Sequence, residues 1–340
     1  MKHLDIHNKT ILISRTDSIG DVVLTLPCCV WLKRQFPTCN ILFLGNTYTK
    51  PVLACLPEID EVIDWKEVES LPLQERVRFF KEKKIDTAVH VFPNKEIASL
   101  LRRAQIPNRI GTSHRVFHFL TCNIRPNFTR KNSELHESQL NFELLRNLGV
   151  QEIPSLTENT NYLKSFEAPL VALPQAIKDF LSTNTKTILL HPKSQGSAVE
   201  WGVSNYVALA NLLVEQGIKV IFTGTEKEGN LFRQQLPVHP LIFDSTGKLS
   251  LDQLIRLIAD TDGLVACSTG PLHIAGILGK TTVGLFSPRK PIHPGRWRAL
   301  GDKVSILVND ENCPTCAKKH VCNCIETITV QRVYESLLHA

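Results

Sequence analysis

The sequence predicts an α/β protein of two similar domains, each built on a mainly parallel sheet. Three observations carry this expectation. Short apolar runs recur along the chain and alternate with amphipathic stretches, the rhythm of repeated βαβ units. That rhythm lapses over residues 151–185, where Pro, Ser, Asn and Thr accumulate, and then restarts. The chain, at 340 residues, is long enough for two domains of ordinary size.

Taken in order, strands are expected at residues 11–14, 41–44, 62–64 and 87–91, each a short apolar run. Amphipathic stretches at 22–35 and 73–83 supply helices between them. The first domain is expected to span residues 1–165. In the second, residues 180–325, strands are expected at Thr187–His191, 219–223, 241–243, Gly263–Cys267 and 282–286. A helix over 250–259 opens with Ser250 and has Gln253 three positions on, a capping-box pattern. Residues 326–340 hold a last helix, at 331–339, expected to be able to pack back on the first domain.

Composition narrows the function classes. Hydrophobic residues make up 43% and charged residues 21%, which excludes a disordered chain. The net charge of +6 is mild, and small basic clusters such as Lys81-Lys83-Lys84 and Arg102-Arg103 read as solvated surface. No nucleic-acid arm is present, whereas a phosphorylated glycolipid or a membrane face would suit the charge. The first apolar stretch contains Asp21 and follows Arg15 and Asp17, unlike a secretory signal. No apolar run approaches the roughly 20 residues of a membrane span. Ten cysteines without an export signal read as cytosolic thiols. The expected location is therefore cytoplasmic, with any membrane contact peripheral.

Three turns carry candidate chemistry. Ligands in open parallel sheets sit beyond the carboxyl ends of strands. The first turn there is Asp17-Ser18-Ile19-Gly20-Asp21, where Gly20 permits a tight turn and Asp21 opens a helix. The helix dipole favours ionised Asp21, so it is either a general base or a plain helix cap. The second turn is Ser268-Thr269-Gly270-Pro271-Leu272-His273. Pro271 suits the first helical position, and Thr269 and Gly270 offer donors at the positive helix end, an anion site suited to a diphosphate. His273 adds a donor or is a buried structural histidine. The third turn, His191-Pro192-Lys193-Ser194-Gln195-Gly196-Ser197, offers Lys193 and Ser194 to a phosphate.

Other motifs fail on position. Gly279-Lys280-Thr281 lacks the first glycine of a P-loop, since Ile274 stands there, and lies between helix and strand in the wrong order. No G-x-G-x-x-G follows the first strand, which disfavours a dinucleotide dehydrogenase. Asp260-Thr261-Asp262 precedes a strand and reads as turn chemistry. Cys313 and Cys316 have zinc-like spacing, but Cys322 and Cys324 are separated by one residue, unusual for a tetrahedral site. Reduced thiols are the expectation for these four, and a structural zinc or iron site the alternative.

Together these segments resemble glycosyltransferase family 9, the ADP-heptose:lipopolysaccharide heptosyltransferases. The match rests on Arg15 through Pro27 and on Ser268-Thr269-Gly270-Pro271-Leu272-His273-Ile274-Ala275. Supporting it are Glu200-Trp201, Phe222-Thr223-Gly224-Thr225-Glu226, Ser287-Pro288, Arg296-Trp297 and His136, in family order along nearly the whole chain. The resemblance implies a GT-B architecture of two Rossmann-like domains facing across a cleft. It implies inverting, metal-independent transfer of heptose from ADP-L-glycero-D-manno-heptose to the lipopolysaccharide inner core, on a lipid A-Kdo or core heptose acceptor. Asp21 would be the base, with Lys193, Ser194, Glu226 (on the ribose), Ser268, Thr269, Gly270, Pro271 and His273 on the donor side. Ser18, Gly20, Arg115 and His136 would lie on the acceptor side, at the cytoplasmic face of the inner membrane. No cofactor or metal is expected.

The chain departs from the family pattern at two places. Ser268 stands where Asp is common, and Val199 and Glu200 stand where a basic residue is common before Trp201. Other readings open at this point are another nucleotide sugar, a later core acceptor, or a non-catalytic nucleotide-sugar binder.

Overall fold

Every strand expected from the apolar runs forms, and two more close the sheet edges. The computed structural model describes residues 3–131, 133–196, 198–318 and 322–339. The chain divides into two compact units, residues 1–166 and 167–340.

In the first unit, five strands run parallel in the order β3-β2-β1-β4-β5. They are β1 Thr10–Ser14, β2 Asn40–Gly45, β3 Glu61–Asp64, β4 Thr87–His90 and β5 Asn108–Ile110. Ile11, Leu12 and Ile13 are fully buried because a central parallel strand is covered on both faces. Ile13 pairs with Phe43 on one side and Val89 on the other. Leu12, Leu42, Leu44, Trp65, Phe80, Ile97 and Leu101 form a core cluster against one side of this sheet.

In the second unit, six parallel strands follow the order β11-β10-β9-β6-β7-β8. These are β6 Thr187–His191, β7 Lys219–Phe222, β8 Ile242–Asp244, β9 Gly263–Cys267, β10 Thr281–Leu285 and β11 Val304–Leu307. Their core gathers Leu190, Trp201, Tyr206, Phe222, Val265 and Leu285. Both orders reverse direction beside the first strand of the unit, between β1 and β4 and between β6 and β9. Those switch points leave a crevice at the strand carboxyl ends, the place where such folds bind ligands.

Four local expectations change. The stretch 22–35 is not one helix but two, Ile19–Val23 and Leu26–Gln35. Pro27 has no N–H to give the Val23 carbonyl, so the first helix ends before it. The segment 151–185 is not merely irregular: helices Leu156–Tyr162 and Gln175–Leu181 form there, the first held by a Ser155–Glu158 capping box. Gly20 lies buried in the first turn of helix Ile19–Val23 rather than in a tight turn before it. The last helix, Val330–His339, packs in the second unit and not as expected of it: Val333 and Leu337 are buried with Trp201, Ile325 and Ile328. Its apolar stripe finds its partner in helix Val203–Glu215 and strand β10. The Ser250–Gln253 capping box forms as expected. Among the described residues no helix is long and apolar enough to cross a membrane.

Candidate functional site

At the end of β1 the chain buries a charge. Arg15 is 3% exposed, and its backbone N–H donates to the Leu44 carbonyl at 3.0 Å, fixing it to the sheet edge. Its guanidinium binds Asp17 through two parallel hydrogen bonds of 2.8 and 3.0 Å. A second donor of the same group reaches Asp21, and the third side meets Glu137 at 3.1 Å and Asn141 at 3.2 Å. Arg130 adds bonds to Glu137 at 3.0 Å and to Asn141 at 2.9 Å. Asn141 returns its amide to the Leu24 carbonyl at 3.0 Å. The whole switch-point loop is thus tied to helix Glu137–Phe142.

This cluster sets three carboxylates against two guanidinium groups. Burial alone would lower the Arg15 pKa, but Asp17, Glu137 and Asp21 hold it above its ordinary value. Asp17 is pushed up to about 6, first by burial and then by the Asp21 charge, against the pull of Arg15. Asp21 itself is partly accessible, with 17% of its side chain exposed, and its other oxygen accepts from the Ser18 hydroxyl. Two hydrogen bonds orient the carboxylate, and a carboxylate has lone pairs left for a further proton donor. Ser18 and Asp21 therefore come together as expected.

Of the other residues expected on the acceptor side, Gly20 lies in the same short helix as Asp21. His136 is the N-cap of helix Glu137–Phe142 and is 1% exposed, its Nδ1 accepting from the Ser138 N–H at 3.3 Å. The residue of this segment that reaches the Asp21 cluster is its neighbour Glu137. Arg115 is exposed, beside the strongly exposed Val116, Phe119 and Leu120. Sequence reading missed Glu137 and Asn141, because nothing local marks a residue whose partner, Arg15, is more than a hundred positions away, and it missed Arg130, which joins the cluster through those two residues.

In the second unit, three loops converge at the other switch point. Ala198, Val199, Ser268, Ser287 and Ile292 line one crevice there, bringing together the turns after β6, β9 and β10. Helix Gly270–Ile277 starts at Thr269, with Pro271 in its first turn as expected. The Thr269 hydroxyl is buried and has no hydrogen-bond partner among the described residues. A buried donor left unpaired costs about 1–3 kcal/mol, so its position at a helix N-terminus fits a ligand that accepts the bond. His273 is 2% exposed, within that helix.

The turn after β6 is strapped by Glu200. Its carboxylate binds Lys193 and accepts from the Ser194 N–H at 3.0 Å and hydroxyl at 3.1 Å. Gln195 and Gly196 both have positive φ, the reversal that makes this strap possible. Glu200 therefore occupies the place of a cation by organising one. Glu226, expected on the ribose, opens the helix after β7 and is gripped by Arg233 at 2.8 and 2.9 Å. Hydrogen bonding from Arg233 lowers its pKa. The capping role there falls to the buried Glu228, which accepts from the Thr225 N–H at 2.7 Å.

Asp262 takes a structural part, accepting from the Thr187 N–H at 2.7 Å, and Asp260 pairs with Arg256. The turn reading of this Asp-Thr-Asp segment agrees with those bonds.

A family model described as glycosyltransferase family 9 (heptosyltransferase) matches residues 78–325. The chain belongs to that family. A Haemophilus influenzae relative, provisionally named a glycosyltransferase, is 27% identical over 331 residues, covering 94% of this chain and 93% of its own. Lipooligosaccharide heptosyltransferase 2 of the same organism is 27% identical over 318 residues, covering 87% and 88%. Among solved structures, E. coli ADP-heptose lps heptosyltransferase II superposes with a TM-score of 0.75 at 21% identity, over 97% of this chain and 98% of that one. The fold of this family 9 glycosyltransferase is accordingly GT-B, each unit carrying its own parallel sheet.

Proposed function

We propose that this glycosyltransferase moves heptose from ADP-L-glycero-D-manno-heptose to the lipopolysaccharide inner core, by a single inverting displacement that needs no divalent metal. The observation that carries the reading is Asp21, an accessible carboxylate fixed by Arg15 and Ser18 at the first switch point. Asp21 takes the proton of the acceptor hydroxyl as its oxygen bonds to the anomeric carbon. The bond from that carbon to the donor phosphate breaks, and ADP leaves with the electron pair. The uncommitted Thr269 hydroxyl and the N-terminus of helix Gly270–Ile277 take up the charge that develops on the diphosphate. Lys193 adds to it once Glu200 shares it. The relatives named as heptosyltransferases support the sugar, and the ADP-heptose named for the E. coli structure supports the nucleotide.

The acceptor is a lipid-linked glycan, so the protein works at the cytoplasmic face of the inner membrane as a peripheral protein. Exposed Val116, Phe119 and Leu120 beside Arg115 support contact with a lipid surface.

A titration against ADP, UDP, GDP and CDP without added divalent metal tests the donor site. Selective ADP binding is expected. Preference for another nucleotide would overturn the ADP-heptose donor, and no binding at all would favour a protein whose donor site no longer works.

A further inference from the structure

Four of the ten cysteines converge, and the proposed transfer uses none of them. The sulfur atoms of Cys313, Cys316, Cys322 and Cys324 all lie within 4.8 Å of one another. Cys313 Sγ is 3.5 Å from Cys322 Sγ, and Cys316 Sγ is 3.3 Å from Cys324 Sγ. A disulfide would bring each pair to about 2.05 Å. A tetrahedral ion with metal–sulfur bonds of about 2.3 Å would hold them about 3.8 Å apart. The two pairs lie nearer the edge of such a tetrahedron than the length of a disulfide, the four sulfurs together fit around one ion, and all six other cysteines are buried elsewhere.

The segment around them needs a fastening. Among the described residues between β11 and helix Val330–His339, only Val308, Cys313, Cys316, Ile325 and Ile328 are buried. Ordering a residue costs roughly 1–2 kcal/mol of backbone entropy, and so thin an apolar anchor offsets only part of that. The segment is also where two parts of the donor side are held. Cys316 Sγ sits 3.4 Å from the Ser287 hydroxyl, in the crevice that includes Ser268. The indole of Trp201 donates to the Ile328 carbonyl at 2.8 Å, and Asn205 donates to the Glu326 carbonyl at 2.9 Å. Trp201 directly follows Glu200, the strap of the Lys193 turn.

We propose that Cys313, Cys316, Cys322 and Cys324 form a tetrathiolate site for one divalent zinc or iron ion, which fastens this segment under the loops of the donor side. Binding releases the four thiol protons and forms four metal–sulfur bonds, with no change of oxidation state. The role is structural: a closed four-sulfur shell leaves no position for substrate, so transfer itself stays independent of this ion.

The test is elemental analysis of the full chain purified under reducing conditions, with an optical spectrum. About one zinc or one iron per chain is expected, and thiolate-to-iron charge-transfer bands tell iron from zinc. The Cys322→Ser/Cys324→Ser variant should lose the ion. A strong chelator should lower the melting temperature of the wild-type chain, and added metal should restore it. Should the variant fail to fold, cobalt exchange into the wild-type chain decides the same question through a tetrahedral thiolate spectrum. Absence of bound metal together with no such cobalt spectrum would overturn the proposal, as would two disulfides among these cysteines by intact mass.

Discussion

Thr269 shows how one side chain can report a missing partner. Its hydroxyl is buried without a hydrogen bond from any described residue, at the head of helix Gly270–Ile277. Hydrogen bonds to charged groups are worth about 1.5–3 kcal/mol. Thr269→Val should therefore weaken ADP binding about ten-fold or more by calorimetry, while the melting temperature stays near wild type because no protein bond is lost. A large loss of stability with unchanged ADP affinity would show that the hydroxyl serves the fold instead. At the same scale, Arg15 explains why Asp21 is oriented. One guanidinium positions Asp17, Asp21 and Glu137 together, with Arg130 keeping the surplus of negative charge at one.

At the scale of elements, helix His118–Thr121 and the turn before it expose Val116, Phe119 and Leu120. Phe119→Glu/Leu120→Glu should cut binding to anionic vesicles several-fold while leaving binding of soluble ADP unchanged, measured by co-sedimentation. Equal sedimentation of variant and wild type would remove this surface from the membrane reading. Elements are also where the sequence was most and least legible. The inner strands could be read directly, since a strand buried on both faces must be apolar along its length, and the edge strands β3 and β8 through the short apolar runs Val62-Ile63 and Ile242-Phe243. The edge strands β5 and β11 could not, because Asn108-Arg109-Ile110 and the half-buried Val304–Leu307 carry no such signature. The β1 loop and the Thr269 helix were legible because glycine, proline and their place after a strand are local signals. Glu137 and the Glu200 strap were not, since each works through a contact that only the fold creates. The partner of the last helix was not legible for the same reason: periodicity shows an apolar stripe but not what covers it.

For the whole molecule, buried imidazoles govern the response to acid. His90 is fully buried, and burial first, then His118 and Arg109, push its pKa from the ordinary 6.5 to about 3. Burial likewise lowers His118 and His191. Below pH 6.5 the unfolded chain takes up these protons while the folded chain does not, so stability is full above 6.5 and falls with pH toward 3. Asp17, raised to about 6, acts in the opposite sense, favouring the folded state as pH falls through that value. The His90→Leu variant separates the two: its stability should fall less steeply between about pH 6.5 and 5, by about 1.4 kcal/mol per pH unit. Parallel stability curves from denaturant titrations would show that His90 is protonated in the fold.

The most direct test of the central claim is turnover of Asp21→Asn with ADP-heptose and a lipopolysaccharide core acceptor, without added divalent metal, beside its ADP affinity. The wild-type chain should transfer heptose. The variant should lose about a hundred-fold or more of that rate, the contribution of a positioned general base, and keep its affinity for ADP. Undiminished transfer by the variant would remove Asp21 from the chemistry and contradict the proposed mechanism.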